Sequence, residues 1–229
     1  MAGAEFRNVD LSGARFQNIN LSGAQFREAM LVNARLSGLI DGLVVNDIEV
    51  APLIDAELNR RHPERTKLRP RDADGVRVAW SAIEDLWAPT MQRAHDLPEE
   101  LLHQRVDGEW SFLETLRHLV FVVDVWVSGN VLGQSNHFNP LGVAPTFVAD
   151  PAAMGIDVDA DPPFYKVATV RDERMNMVGD LVAGVTDDDL QRAVGEHTML
   201  FCLLTVFNEE WHHHWYATRD LDSIDNTEP

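Results

Sequence analysis

Large apolar residues recur at every fifth position near the start of the chain. The centre positions of successive five-residue units are Phe6, Leu11, Phe16, Leu21, Phe26, Leu31 and Leu36. A period of five fits neither an α-helix, with its period of 3.6 residues, nor a β-strand, with its period of two. It is typical of a solenoid, in which equivalent side chains of successive coils stack in columns. Asp41 occupies the next centre position and ends the pattern.

These units, of which ARFQN and INLSG are examples, resemble the pentapeptide-repeat family. The resemblance covers about residues 4–45 and implies a right-handed quadrilateral β-helix in which four units make one coil. The segment would then form about two coils, and solenoids need their ends capped. We therefore expect one end to pack on the following domain or on a second subunit.

A charged segment with prolines follows the repeats. Its sequence RRHPERTKLRPRDADG predicts a linker that runs over the surface. The predicted organisation is a pentapeptide-repeat domain at residues 1–50, a linker at residues 51–73 and a helical domain at residues 74–229.

Apolar positions in the helical domain recur every three or four residues, which predicts long amphipathic helices. The predicted helices cover about residues 74–95, 112–132, 164–185 and 199–221. Ser111 and Glu114 form a capping-box pattern at the start of the second helix. Residues 133–164 are rich in proline and glycine, and a loop of this length often lines a functional site. Four long helices with one long crossover predict a four-helix bundle. The predicted fold class is therefore an α domain preceded by a small β-solenoid.

Composition narrows the functional classes. The net charge of −18 would repel a phosphate backbone, so we expect no nucleic-acid partner. No run approaches the roughly 18 apolar residues that cross a bilayer, so we expect no membrane partner. The single cysteine, Cys202, excludes an internal disulfide, and the N-terminal sequence shows no secretory signal. These features predict a cytoplasmic protein.

The candidate chemistry lies in the last predicted helix, in the sequence NEEWHHHWYATRDL. Residues four apart share a helix face. The pairs with this spacing are Asn208/His212, Glu209/His213 and Glu210/His214. Glu210 and His214 continue an apolar seam that includes Phe207. An acid in such a seam is costly unless it is paired or binds a metal, so these two side chains are predicted to be metal ligands.

His118 is the candidate for a third ligand because it lies in LRHLVFVVDVWV, the most apolar predicted helix. The alternative is a core histidine that is hydrogen-bonded to a backbone carbonyl. A His/Glu/His set leaves one coordination position open, as catalytic zinc sites do, for water or a thiolate. Nitrogen and oxygen ligands suit zinc, and also nickel, iron or manganese.

The sequences WSFLETLRHLVFVVDVW and NEEWHHHWYATRDL are similar to the DinB/YfiT-like four-helix superfamily, over about residues 74–221. This superfamily includes mycothiol-dependent maleylpyruvate isomerases and bacillithiol transferases. The resemblance implies His118, Glu210 and His214 as the metal ligands. If the last helix is rotated by one residue, Glu209 and His213 replace the second and third of them. The arginine that usually follows the last ligand is Trp215 here.

The sequence leaves two functions open. The first is a divalent-metal-dependent enzyme with thiol transferase or isomerase chemistry, a low-molecular-weight thiol such as mycothiol or bacillithiol as cofactor, and an electrophilic small molecule as substrate. The second is a non-catalytic, metal-bearing interaction protein that uses the pentapeptide coil for docking or for homodimerisation.

Overall fold

The computed structural model describes residues 3–16 and 19–225 of the chain. The chain divides into two units with the boundary between Ile40 and Asp41. This boundary lies earlier than the predicted end of the repeat domain at residue 50, because a small hairpin beyond it belongs to the second unit. None of the helices in the described part of the chain is both long and apolar enough to cross a membrane.

The N-terminal unit shows turns that recur every second five-residue unit. The backbone amides of Ala14, Ala24 and Ala34 donate to the carbonyls of Leu11, Leu21 and Leu31 at 3.0, 2.9 and 3.2 Å. Gly13 and Gly23 lie within two of these turns, directly before the donor residue. Each has a φ of +74°, a conformation that glycine adopts without strain. The side chains of Phe6, Phe16 and Phe26 are 66%, 61% and 65% exposed.

The segment predicted as a linker is largely helical. A hairpin of β1 (Val44–Val45) and β2 (Ile48–Glu49) leads into α1 (Ala51–Arg61) and a 3₁₀ helix (Pro63–Leu68). Each of these two helices has a proline in its first turn, where the missing N–H has no intrahelical role. The prolines that suggested a linker therefore begin helices. The 3₁₀ helix packs on two of the long helices and buries Leu68.

Long helices occupy all four ranges in which they were predicted. They are α2 (Ala73–Asp96), α4 (Phe112–Val123), α5 (Phe164–Gly184) and α7 (Met199–Asp225). Helices α2 and α4 each pack against both α5 and α7. Their contacts bury a core that includes Ile83 of α2, Leu116 of α4, Val178 of α5 and Phe207 of α7.

Shorter elements complete the second unit. They are α3 (Glu99–Leu102), a π-helix that continues α4 (Asp124–Val131), a 3₁₀ turn (Ala152–Met154), α6 (Asp187–Gln191) and the antiparallel strands β3 (Ala193–Val194) and β4 (His197–Thr198). Helix α4 begins with the predicted capping box, in which Ser111 and Glu114 each accept from the other's backbone amide. A well-defined start fixes where the side chains of α4 point.

The long loop between the π-helix and α5 is held against α4 by buried charged groups. Arg117, which is 8% exposed, donates from Nε to the carbonyl of Leu141 and from Nη1 to the carbonyl of Ala160. The carboxylate of Asp124 accepts from the amide of Asn139 at 2.7 Å. These bonds fix the loop beside the middle of α4, where His118 lies.

Candidate metal centre

Three side chains from two helices bring possible metal-ligating atoms together. His118 of α4 and the pair Glu209 and His213 of α7 offer ligand atoms that all lie within 4.8 Å of one another. Oε2 of Glu209 lies 3.8 Å from Nε2 of His118 and 3.2 Å from Nε2 of His213. Within the described residues this is the only group of at least three histidine, cysteine or acidic side chains with such spacing.

The long loop fixes the orientation of the His118 ring. Nδ1 of His118 lies 3.0 Å from the carbonyl oxygen of Val143. Since a carbonyl can only accept, Nδ1 donates in this bond, which leaves Nε2 as the nitrogen that faces Glu209 and can bind a metal. Metal-ligating histidines almost always donate their second ring N–H to a carboxylate, a backbone carbonyl or a water. The loop therefore supplies the support that a ligand imidazole requires.

Aromatic rings enclose the group on one side. The ring of Trp110 lies 4.5 Å from that of His118 and 6.0 Å from that of His213, measured between centroids. The ring of Phe121 stacks at 6.1 Å from that of His118. The His118 side chain is only 7% exposed, whereas that of Glu209 is 34% exposed. The group is thus reachable from solvent on the carboxylate side.

The charge states suit metal binding. Burial acts to raise the pKa of Glu209, but the imidazoles of His118 and His213 beside it hold that pKa well below its usual range. Burial lowers the pKa of His213, and its contact with Glu209 opposes this shift. At neutral pH the pair therefore offers an ionised carboxylate and a neutral imidazole, which are the forms that bind metal ions.

Glu210, predicted as a ligand, instead faces α5. Its side chain is fully buried and forms a close ion pair with Arg171, which is 2% exposed. Burial raises the pKa of Glu210, and the Arg171 charge opposes that shift. An acid at this position in the apolar seam must be paired or bind a metal, and a cation from another helix provides the pairing. Arg171 lies four residues after Val167 and shares its buried helix face. This spacing in the sequence could have identified Arg171 as a buried cation.

His214, the other predicted ligand, faces α2. Its Nε2 atom lies 2.9 Å from Oγ1 of Thr90, and its ring meets that of Trp87 edge-on at 5.0 Å. His118 is thus brought together with the alternate pair Glu209 and His213, and not with Glu210 and His214. Nδ1 of neighbouring His212 donates to the carbonyl of Asn208 in its own helix at 2.9 Å.

Two imidazole nitrogens and one carboxylate oxygen, held by two packed helices and open on one side, fit a divalent cation of the zinc, nickel, iron or manganese class. Comparison with known protein families gave two matches. Residues 82–217 match the family model of the DinB superfamily, and residues 3–38 match pentapeptide repeats in eight copies. The searches of curated proteins and of solved structures gave no match.

Proposed function

Since the chain belongs to the DinB superfamily and carries N-terminal pentapeptide repeats, we propose that it is a divalent-metal-dependent enzyme whose metal is held by His118, Glu209 and His213. The single observation that carries the proposal is the convergence of Nε2 of His118 on the Glu209/His213 pair. Zinc is the cation that we expect, because two imidazoles and one carboxylate with an open position are a common catalytic zinc set.

The proposal includes the fold expected of this superfamily. We infer that α2, α4, α5 and α7 form its four-helix bundle, and their mutual packing supports this. We also infer that the repeats form about two coils of a right-handed quadrilateral β-helix, which the regularly spaced turns at Gly13 and Gly23 support.

The proposed reaction is transfer of a low-molecular-weight thiol to an electrophile, or a thiol-dependent isomerisation. A bound divalent cation would lower the pKa of a thiol or polarise a carbonyl. The residues of this chain would orient the reactants: Trp110 forms an apolar wall, Val143 fixes the His118 ring, and the exposed edge of Glu209 marks the side of entry. In the isomerase branch of the superfamily, the first of the two metal ligands on the last helix is a glutamate. The resemblance to this branch supports thiol chemistry. We place this chemistry in the cytoplasm.

The test is metal content and thiol-dependent turnover in protein purified without a tag. We expect about one zinc per chain in the wild type and almost none in His118→Ala or Glu209→Ala. His212→Ala is the matched control, because this imidazole lies on the same helix but bonds only to its own backbone. Turnover of a model electrophile with a small thiol should follow metal content. Equal activity in His118→Ala and the wild type would refute the proposal.

One observation favours the second function, a metal-bearing protein that acts by association. Phe6, Phe16 and Phe26 repeat at equal spacing in the N-terminal unit and are each more than half exposed. On this alternative the full chain is a homodimer by light scattering, and Phe6→Ser together with Phe26→Ser makes it monomeric. A chelator would lower the melting temperature while no thiol binds or reacts.

A further inference from the structure

Helix α7 carries two Glu/His pairs in tandem, and either pair could face α4. Glu209/His213 and Glu210/His214 have the same composition and the same spacing of four residues. A rotation of α7 by about 100° would exchange them. The composition and spacing of the two pairs therefore give no preference for either as the partner of His118, and the choice must come from the residues packed around the helix.

We propose that the Arg171–Glu210 ion pair sets the rotation of α7 and thereby selects Glu209 and His213 as the metal ligands. This inference rests on the proposed metal site. Arg171 and Glu210 are positioning residues, because neither side chain belongs to the ligand group.

Burial makes this ion pair a strong constraint on rotation. Glu210 is 0% exposed and Arg171 is 2% exposed, and the two come from different helices. If α7 turned so that Glu210 faced His118, Arg171 would remain charged in the core without its acid. Separating a buried ion pair is far more costly than replacing both partners by apolar side chains.

A second contact supports the same rotation from another helix. Nε2 of His214 lies 2.9 Å from Oγ1 of Thr90 in α2. Trp87 of α2 packs on the His214 ring, and the centroid of its own ring lies 5.6 Å from Cζ of Arg171. Glu210 and His214 are thus held by α5 and α2. The same rotation leaves Glu209 and His213 directed at α4.

The test replaces the ion pair without leaving either charge alone. The variant Arg171→Leu/Glu210→Leu should fold with an unchanged or higher melting temperature, since apolar replacements of a buried pair are often neutral or stabilising. Its Zn²⁺ affinity, measured by competition with a chromophoric chelator, should fall by about 10–100-fold, the effect usual for residues that orient ligands. Should this variant not fold, Arg171→Met/Glu210→Gln keeps a polar group in the core and is judged by the same measurement.

The matched control is Arg93→Leu/Asp222→Leu, which removes an ion pair between α2 and α7 at the surface, where the N–O distance is 2.7 Å. It should leave Zn²⁺ affinity unchanged. Unchanged affinity in the folded core variant as well would overturn the inference.

A metal-free readout separates this inference from the proposed function. In a crystal structure of the metal-free core variant, we expect the His118 and His213 rings to have moved apart from their separation of 4.8 Å. Retention of that separation would also overturn the inference. Absence of Zn²⁺ binding by the wild-type protein would instead end the proposed function, and the crystallographic comparison would still judge the role of the ion pair.

Discussion

The imidazole of His118 and the backbone carbonyl of Val143 are 3.0 Å apart, so a hydrogen bond from this ring joins the buried helix α4 to the long loop. The amide of Val143 in turn donates to the carbonyl of Arg117 at 3.2 Å. Val143 is therefore fixed through both of its backbone groups. The position of the loop and the orientation of the candidate ligand depend on each other.

Gly142→Ala should weaken metal binding through this loop. A Cβ atom at Gly142 would lie 3.2 Å from the carbonyl of Asn139 and 3.5 Å from Cβ of Phe121, so the loop must shift by a few tenths of an ångström. Because Val143 is the next residue, its bond to His118 would lengthen. We expect Zn²⁺ affinity, measured by competition titration, to fall by up to about tenfold.

Gly184→Ala is the control for that substitution. A Cβ atom there meets nothing within 4 Å, at the end of α5. It should leave Zn²⁺ affinity unchanged and raise the free energy of unfolding by about 0.5–1 kcal/mol, since alanine loses less backbone entropy than glycine. An equal loss of affinity in both variants would contradict a specific role for the Gly142–Val143 segment.

Asp124→Ala should be strongly destabilising. The Asp124 side chain is fully buried, accepts from Nε of Arg174 at 2.6 Å and from the amide of Asn139 at 2.7 Å. Its removal leaves a largely buried guanidinium whose other acidic neighbour, the exposed Glu173, lies 3.7 Å away, and this loss costs about 3–5 kcal/mol. Urea unfolding measures this loss. Asp74→Ala breaks an exposed ion pair with Arg77 and should cost no more than about 1 kcal/mol.

Much of the helical architecture could be predicted from the sequence, because it depends on local signals. The start of α4 is an example, since the capping box of Ser111 and Glu114 uses only residues three apart. The five-residue repeats are equally local. The helical content of residues 51–68 was missed because proline and charge were read as a linker, although proline also favours the first turn of a helix.

The ligand pair on α7 could not be chosen from the sequence for a different reason. Both Glu/His pairs satisfy the helical spacing, and only Glu210 lies in the apolar seam, which made it the first choice. Its actual partner, Arg171, is 39 residues earlier in the chain and reaches it from α5. The contact that holds Glu210 against α5 joins residues far apart in the chain, and no periodicity within α7 reports it.

Glu114→Gln should reduce stability in a pH-dependent way. Burial acts to raise the pKa of Glu114, but bonds from Arg105 and from the amide of Ser111 hold it below its usual value. A depressed pKa stabilises the folded state above the unfolded-state value of about 4.3, and this contribution is lost as the pH falls through the lower, folded-state pKa. The free energy of unfolding of the wild type should therefore exceed that of the variant by about 1 kcal/mol near neutral pH.

That difference should shrink as the pH is lowered below about 4, measured by urea unfolding at each pH. Ser111→Ala is the matched control, because it removes the other half of the capping box and no titrating group. Its cost should change far less over the same range, since the Ser111 side chain makes only the smallest contribution to the low pKa of Glu114. A Glu114→Gln difference that does not change with pH would contradict the role of the carboxylate charge.

Cys202 should not provide the thiol in any reaction of this protein. It is 0% exposed, it lies in α7 two turns before the candidate ligands, and burial raises the pKa of its thiol. A protonated, enclosed thiol is a poor nucleophile. We expect a disulfide reagent to label Cys202 in urea and not in the folded protein, and Cys202→Ala to keep thiol-dependent turnover and metal content. Rapid labelling of the folded protein, or loss of turnover in Cys202→Ala with the metal retained, would assign the nucleophile to the protein itself and remove the need for a small-molecule thiol.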